Sequence, residues 1–435
     1  MVDEFDVLVV GDGPAGGVAA LVLARAGSRV AMLSVPPSAA RRSTGGLIWE
    51  RDLRSLGPGL ASMPVERRLV ERRLALFDGA SSVSLDFRDA DWPQGADAVS
   101  SVSRISASGW LSDAARSAGV ELVELGADLA LRGDPPGRIT GVGDGRRSLA
   151  APVTIITEGD ATSLLRAAGA GDGSPVLPAA GECASETVIR LGLRRINERF
   201  GVDSTHGVAI ECLLGEVPGG GLAGGYLYAN REAVTVGVVV RPAQPAKAGA
   251  LSDVAGAELA RFRAHPTISP YLVGGDVVDS GSPVGTAGAP AADGLHGDGF
   301  LVSGDAAGFP FSDGAAIHGV NYAVRSGLMA AEAAQLAIGR KDTSTARLAS
   351  YGRALRSSGL LSSIDRNRHS AERFRWNRQA HRRYPKFVAT ALHEMMTETG
   401  APKEPIGATV RRVRRATRIG WLDLALDAVR IGGFP

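Results

Sequence analysis

Apolar positions along the chain fall into three textures, and each predicts a different kind of element. Phe5 to Val10 is a short unbroken apolar run, the pattern of a parallel strand buried on both faces. A turn, Gly11-Asp12-Gly13-Pro14-Ala15-Gly16, follows at once. Val18 to Ala26 then reads as an Ala- and Leu-rich helix stopped by Gly27, and Arg29 to Leu33 as a second strand. A similar patch runs from Trp110 through a helix ending near Gly119 into Glu121-Leu122-Val123. Pro152 to Ile156 and Phe300 to Val302 are two more short apolar runs that end in Gly-containing turns.

The middle of the chain differs. Between about residues 180 and 290 the runs alternate or are β-branched, as in Val188-Ile189-Arg190-Leu191 and Val234 to Val240. Gly219-Gly220-Gly221 and Gly224-Gly225 separate them, which predicts an antiparallel sheet. From Ser344 onward the pattern is helical. The expected class is therefore α/β (α+β overall). A Rossmann-type nucleotide-binding domain is built from 1–75, 100–175 and 295–342, and an antiparallel β-sheet substrate domain from 76–99 and 176–294. Residues 343–435 form a helical C-terminal region.

Composition narrows the function. A length of 435 residues exceeds what one core supports, and 44% hydrophobic with 22% charged residues is ordinary globular usage. A net charge of +2 argues against nucleic-acid binding. The charge is uneven, however. Asp365 to Arg418 holds 14 Lys/Arg against 5 Asp/Glu, so this region is a candidate docking surface for a partner protein or a membrane face. Its end carries Arg411, Arg412, Arg414, Arg415 and Arg418, then Trp421, Leu422, Leu424 and Leu426; a solvated helix face is the simpler reading. Two distant cysteines, Cys183 and Cys212, exclude a disulfide scaffold and a Cys-ligated iron–sulfur or zinc site, so no metal is expected. A first strand within six residues of Met1 and the lack of any run of ~18 apolar residues make the cytoplasm the expected compartment.

The first turn carries the chemistry. GxGxxG alone is a weak signal, but here it follows a strand and opens a helix. Gly11 permits the tight turn, Gly13 lets the backbone approach a pyrophosphate, and Gly16 lets helix and sheet pack closely. Pro14 and Ala15 open the helix, whose N-terminus faces the phosphates. Such folds usually end the second strand in Asp or Glu, which binds ribose hydroxyls. That position is Ser34, with no acidic residue between Asp12 and Glu50, so looser cofactor retention is expected. Two distant segments complete the pattern: Gly304-Asp305-Ala306-Ala307-Gly308, closing the strand at Phe300 and leading to a helix expected near Gly314, and Thr157-Glu158-Gly159.

These motifs resemble those of FAD-dependent proteins of the glutathione-reductase and p-hydroxybenzoate-hydroxylase type. Pro64 to Arg68, Val83 to Phe87, Gly224 to Asn230, Phe262 to Pro266 and Tyr384-Pro385 extend the resemblance along nearly the whole chain to the FixC-type electron-transfer-flavoprotein–quinone oxidoreductases and their sister geranylgeranyl reductases. The resemblance implies FAD, with Asp305 on the ribityl hydroxyls and the following residues, Gly314 and Ala315, at the flavin. It implies Ser43, Gly45 and Gly46 beside the isoalloxazine, with Arg104, Glu158 and Gly159 completing the cofactor set. It also implies an electron donor protein, ferredoxin or an electron-transfer flavoprotein. The chain departs from the family at Ser34, Glu158, His318 and Asn321, and Ser106-Ala107-Ser108 lacks the expected charged and aromatic residues. Altered cofactor-side residues on a family-like scaffold suggest a tailoring enzyme of small-molecule biosynthesis, acting on a small apolar or unsaturated organic substrate. Electron transfer to quinone, flavin monooxygenation, and a flavin fold that has lost its redox chemistry are the alternatives. His318, expected one turn into the helix, is the candidate proton donor or acceptor, with a packed or solvent-facing histidine as the simpler role. Tyr226 and Tyr228, on one face of a strand, are candidates for the substrate cleft or equally for core.

Overall fold

The computed structural model describes residues 3–34, 44–55, 57, 60–95, 97–126, 128–134, 137–157, 164–165, 167, 180–244, 248–282, 284–286, 292–373, 376–398, 400, 402–422 and 426–427. Ser43, Glu158 and Gly159 lie outside the described residues. The short apolar runs assemble into a six-stranded sheet in the order His296–Gly297, Phe300–Val302, Val153–Ile156, Val7–Val10, Val30–Ser34, Glu121–Glu124. All neighbours are parallel except the first pair. Val7–Val10 sits in the middle and is fully buried, which is why its sequence shows no alternation. Pro14–Arg25 starts four residues before the apolar periodicity does, because Pro14 at N1 follows Gly13 as N-cap. The helices Arg104–Ser117 and Val320–Gly339 pack against it.

A second sheet has ten strands. Its central run is Ala180–Arg190, Ala233–Arg241, Gly221–Ala229, His206–Val217 and Arg67–Asp78. The division expected at residue 76 runs through the strand Arg67–Asp78, and Gly45–Trp49 and Val99–Ser103 also belong to this sheet. In addition, His206–Val217 lies parallel to Arg67–Asp78, so the sheet is mixed. Alternation tells which side chains share a face, whereas direction follows from the connection, and no hairpin links these two strands. One face of the sheet buries an apolar cluster with the helices Leu193–Phe200 and Ala248–Ala264. The other buries Leu47, Leu69, Ala209, Tyr226, Tyr228, Ala316 and Trp376.

The helix expected near Gly314 begins instead at Val320, with Gly319 as N-cap. Between lies a two-stranded hairpin, Phe311–Ser312 with Ile317–His318. Asp313 explains it: its carboxylate accepts the backbone N–H groups of Ala315 and Ala316 at 3.0 Å each, a local turn that competes with helix. Gly314 takes φ 92° in that turn. His318 is thus on a strand, not on a helix. The expected C-terminal helices are present as Thr345–Ser357, Leu360–Arg373, Arg378–Arg382, Tyr384–Met396 and Ile406–Ala416. Among the described residues, no helix is long and apolar enough to cross a membrane.

Candidate active site

The sheet ends and the first helix make a cradle. Gly11 adopts φ 114° and donates its N–H to Leu33 O at 2.8 Å. A Cβ on Gly16 would lie 2.0 Å from Gly11 O and 2.8 Å from Thr157 Oγ1, so only glycine closes this turn. Thr157 in turn donates to Val10 O at 2.8 Å through its hydroxyl. Gly13 is extended, with φ −71°, and caps the helix, leaving the N–H groups of the first turn to an incoming anion.

The second motif is pressed against the same helix N-terminus. A Cβ on Gly304 would meet Ala15 Cβ at 2.7 Å, and one on Gly327 would meet Ala15 O at 2.3 Å. Ser326 Oγ accepts from the Gly304 N–H at 3.2 Å and from Ser303 Oγ at 2.9 Å. The cofactor motifs, about 300 residues apart in sequence, are thereby one structural unit. Asp305 is exposed to solvent, with protein packed around its carboxyl. That crowding pushes its carboxyl up to about 6. No described residue hydrogen-bonds this carboxylate, so it is available to ligand hydroxyls. A positive-φ turn, a closely packed helix N-terminus and an open carboxylate fit a dinucleotide with a polyol chain, and so fit FAD.

Gly45 and the hairpin turn each pack closely on a strand of the ten-stranded sheet. A Cβ on Gly45 would meet Val102 O at 2.3 Å, and one on Gly224 would meet Gly314 O at 2.0 Å. Gly314 therefore lies against Gly224, on the strand that carries Tyr226 and Tyr228, and Gly45 lies against Val102. Arg104 donates its backbone N–H to Thr44 O at 2.9 Å, while its guanidinium pairs with Asp279 at 3.3 Å. Ser34 ends its strand half-buried, beside the first turn.

Tyr226 and Tyr228 do share a face, with stacked rings 4.9 Å apart. Both are buried. The Tyr226 hydroxyl donates to Glu186, whose other oxygen accepts the Thr44 N–H. This reach across the intervening strand requires Gly237, where a Cβ would lie 2.4 Å from the phenol oxygen. Burial raises the Tyr226 phenol well above its ordinary range. Arg72 and Glu211 form a second pair on this face. His318 Nε2 lies 3.0 Å from Asp313 Oδ2 and its ring packs on Phe311, so it is fixed to the hairpin it belongs to. Sequence reading missed Glu186, Glu211 and Asp313. The available signal was a glutamate at an inward position of an otherwise apolar alternating strand, as at Glu186.

Residues 4–133 match the family model described as an FAD binding domain. The chain is 32% identical to the probable electron transfer flavoprotein-quinone oxidoreductase YdiS of Escherichia coli K12, over 98% of both chains. It is 30% identical to protein FixC of the same strain, again over 98% of both. Among solved structures it resembles a geranylgeranyl bacteriochlorophyll reductase-like protein from Thermoplasma acidophilum, with TM-score 0.64 and 16% identity over 99% of this chain and 100% of that one, a likeness of fold. With this identity over nearly its full length, the chain belongs to the family of FixC and the electron transfer flavoprotein-quinone oxidoreductases and is an FAD-dependent oxidoreductase.

Proposed function

We propose that the protein takes electrons from an electron-transfer flavoprotein and passes them to a small apolar, unsaturated organic acceptor in a tailoring step of specialised metabolism. The observation that carries this reading is the buried Tyr226–Glu186 pair between Thr44 and the Gly314 turn. Around it the sheet face is apolar and aromatic, with Leu47, Leu222 and Trp376 buried and Trp49 and Trp92 against them. Apolar walls with a few placed polar groups suit such an acceptor. FAD, when bound, supplies the two-electron redox chemistry. The anion left when an unsaturated bond accepts a hydride equivalent needs a proton. The Tyr226–Glu186 pair retains one at neutral pH, which lies below the phenol's ordinary range, and burial raises that range further. His318 Nε2 faces Asp313 Oδ2 at 3.0 Å in the adjoining hairpin.

The names of FixC and YdiS support the donor, as does the presence of a single GxGxxG in a βαβ setting, which leaves NAD(P)H without a second Rossmann site. The test is anaerobic stopped-flow of the FAD-loaded protein. Reduction by an electron-transfer flavoprotein, slow reduction by NADH and NADPH, and reoxidation by a short-chain benzoquinone or an enone are the expected results. Tyr226→Phe should retain FAD while slowing reoxidation by an enone about 100-fold. Rapid bleaching by NADPH, with oxygen uptake coupled to substrate hydroxylation, would instead establish a monooxygenase.

A further inference from the structure

The fold ordinarily places a ribose-binding carboxylate at the end of the second strand, where this chain has Ser34. Val30–Ser34 pairs in parallel with Glu121–Glu124, and the register sets Ser34 directly beside Glu124. Register partners in a parallel pair present their side chains to the same face, because side-chain direction alternates with the same phase in both strands. Leu33 and its partner Val123 are buried in the core, and one residue further along both strands emerge, Ser34 half-buried and Glu124 exposed. Leu125 N–H donates to Ser34 O at 3.2 Å, so the pairing holds to the end of both strands. The first turn is anchored one residue away, through Gly11 N–H on Leu33 O at 2.8 Å.

We propose that Glu124 is the ribose carboxylate of this flavoprotein: it accepts the adenosine ribose hydroxyls of FAD from the neighbouring strand, with the Ser34 hydroxyl as the second, neutral contact. Among the described residues Glu124 has no hydrogen-bond or ion-pair partner, whereas Glu121 on the same strand is held by Arg147 at 3.1 Å. Asp12 belongs to the first turn itself and not to the strand ends. The charge that the second strand lacks is therefore supplied one strand over, at the same level of the sheet.

The test titrates FAD and FMN separately into apo-protein, with flavin fluorescence as the readout. FMN carries the same isoalloxazine and ribityl chain but no adenosine, so it reports on the rest of the site. Glu124→Gln should weaken FAD about five- to tenfold, the difference between a charge-assisted and a neutral hydrogen bond, and leave FMN unchanged. Ser34→Glu combined with Glu124→Gln should restore FAD affinity to within about twofold of wild type, since the carboxylate returns to the second strand. Wild-type FAD affinity in Glu124→Gln, or equal weakening of FAD and FMN, overturns the proposal. Glu124 is exposed, and an unchanged thermal melt of the apo-variant confirms that binding alone has been altered.

Discussion

Asp305 offers the sharpest test of the cradle, because its protonation and FAD binding pull against each other. Protein packed around the cleft floor raises its carboxyl from 3.8 to about 6. A carboxyl with a raised folded value stabilises the apo-protein below the ordinary carboxylate range, and that contribution is lost as pH rises through about 6. Ribityl hydroxyls donate to the ionised form, so FAD affinity must run the other way and fall as the solution is acidified. With a folded value of about 6, the ionised fraction drops from about nine-tenths at pH 7 to about one-tenth at pH 5, which is about tenfold in Kd. The side chain is open to solvent, and screening reduces the shift, so a factor between about two and ten is expected. Asp305→Asn should bind FAD more weakly at pH 8 and show no such slope, while its apo form should melt higher than wild-type apo-protein at pH 8 but not at pH 4. Equilibrium titration at pH 5, 6, 7 and 8 measures the first effect and calorimetry of the apo-proteins the second. A wild-type Kd that is flat across this range, or an Asn variant with the wild-type slope, refutes the assignment of this carboxylate to the ligand.

Gly13→Val should abolish FAD retention after desalting while the apo-protein melts near wild type, since φ −71° suits any residue. Gly327→Val should do the reverse of a clean binding defect and lower the melting temperature, because a Cβ 2.3 Å from Ala15 O forces the two helices apart, an overpacking cost of about 1–3 kcal/mol or more. Charge reversal of Arg411, Arg415 and Arg418 should slow reduction by an electron-transfer flavoprotein and flatten its dependence on salt, measured by stopped-flow at two ionic strengths. These three are exposed, whereas Arg412 is neutralised by Glu394 and Glu404 and Arg414 stacks on Trp421 at 4.6 Å.

Much of the parallel sheet was legible because Val7–Val10 and Phe300–Val302 are short apolar runs that lead into turns with positive-φ glycines, Gly11 and Gly304. Gly11 and Gly16 state their geometry in their identity, and so does the pairing of GDAAG with the strand at Phe300. The hairpin at Phe311 was not legible in the same way. Its apolar and small residues suit a helix start, and the deciding interaction is the Asp313 carboxylate on two N–H groups, a competition that composition does not reveal. The Tyr226–Glu186 pair was half legible. Alternation places Tyr226 and Tyr228 on one face, but the bond to Glu186 depends on which strands are neighbours and on the missing side chain of Gly237. Register hid Glu124 as well, since 89 residues of chain separate two positions that lie side by side in the sheet.

The distinction between positions the fold needs and positions the ligand needs bears on whether this chain still serves FAD. Gly16, Gly304 and Gly327 say nothing on that question, because a side chain at any of them would strike protein: Gly11 O, Ala15 Cβ or Ala15 O. They would remain glycine in an empty scaffold. Gly13 and Asp305 are different. The backbone of Gly13 makes no demand for glycine, and residues with side chains cap helices well at that geometry. Asp305 carries an ionisable group in a crowded cleft where its charged form is disfavoured and where no described residue compensates it. Asparagine would relieve that cost at once. Gly13 has no backbone need for glycine and Asp305 carries a charge that no described residue compensates, as a pyrophosphate at the first and hydroxyl groups at the second would explain. Both positions are consistent with a bound dinucleotide, while the departures at His318 and Asn321 are absorbed by partners within the protein, Asp313 for the first and the Trp49 N–H at 2.9 Å for the second.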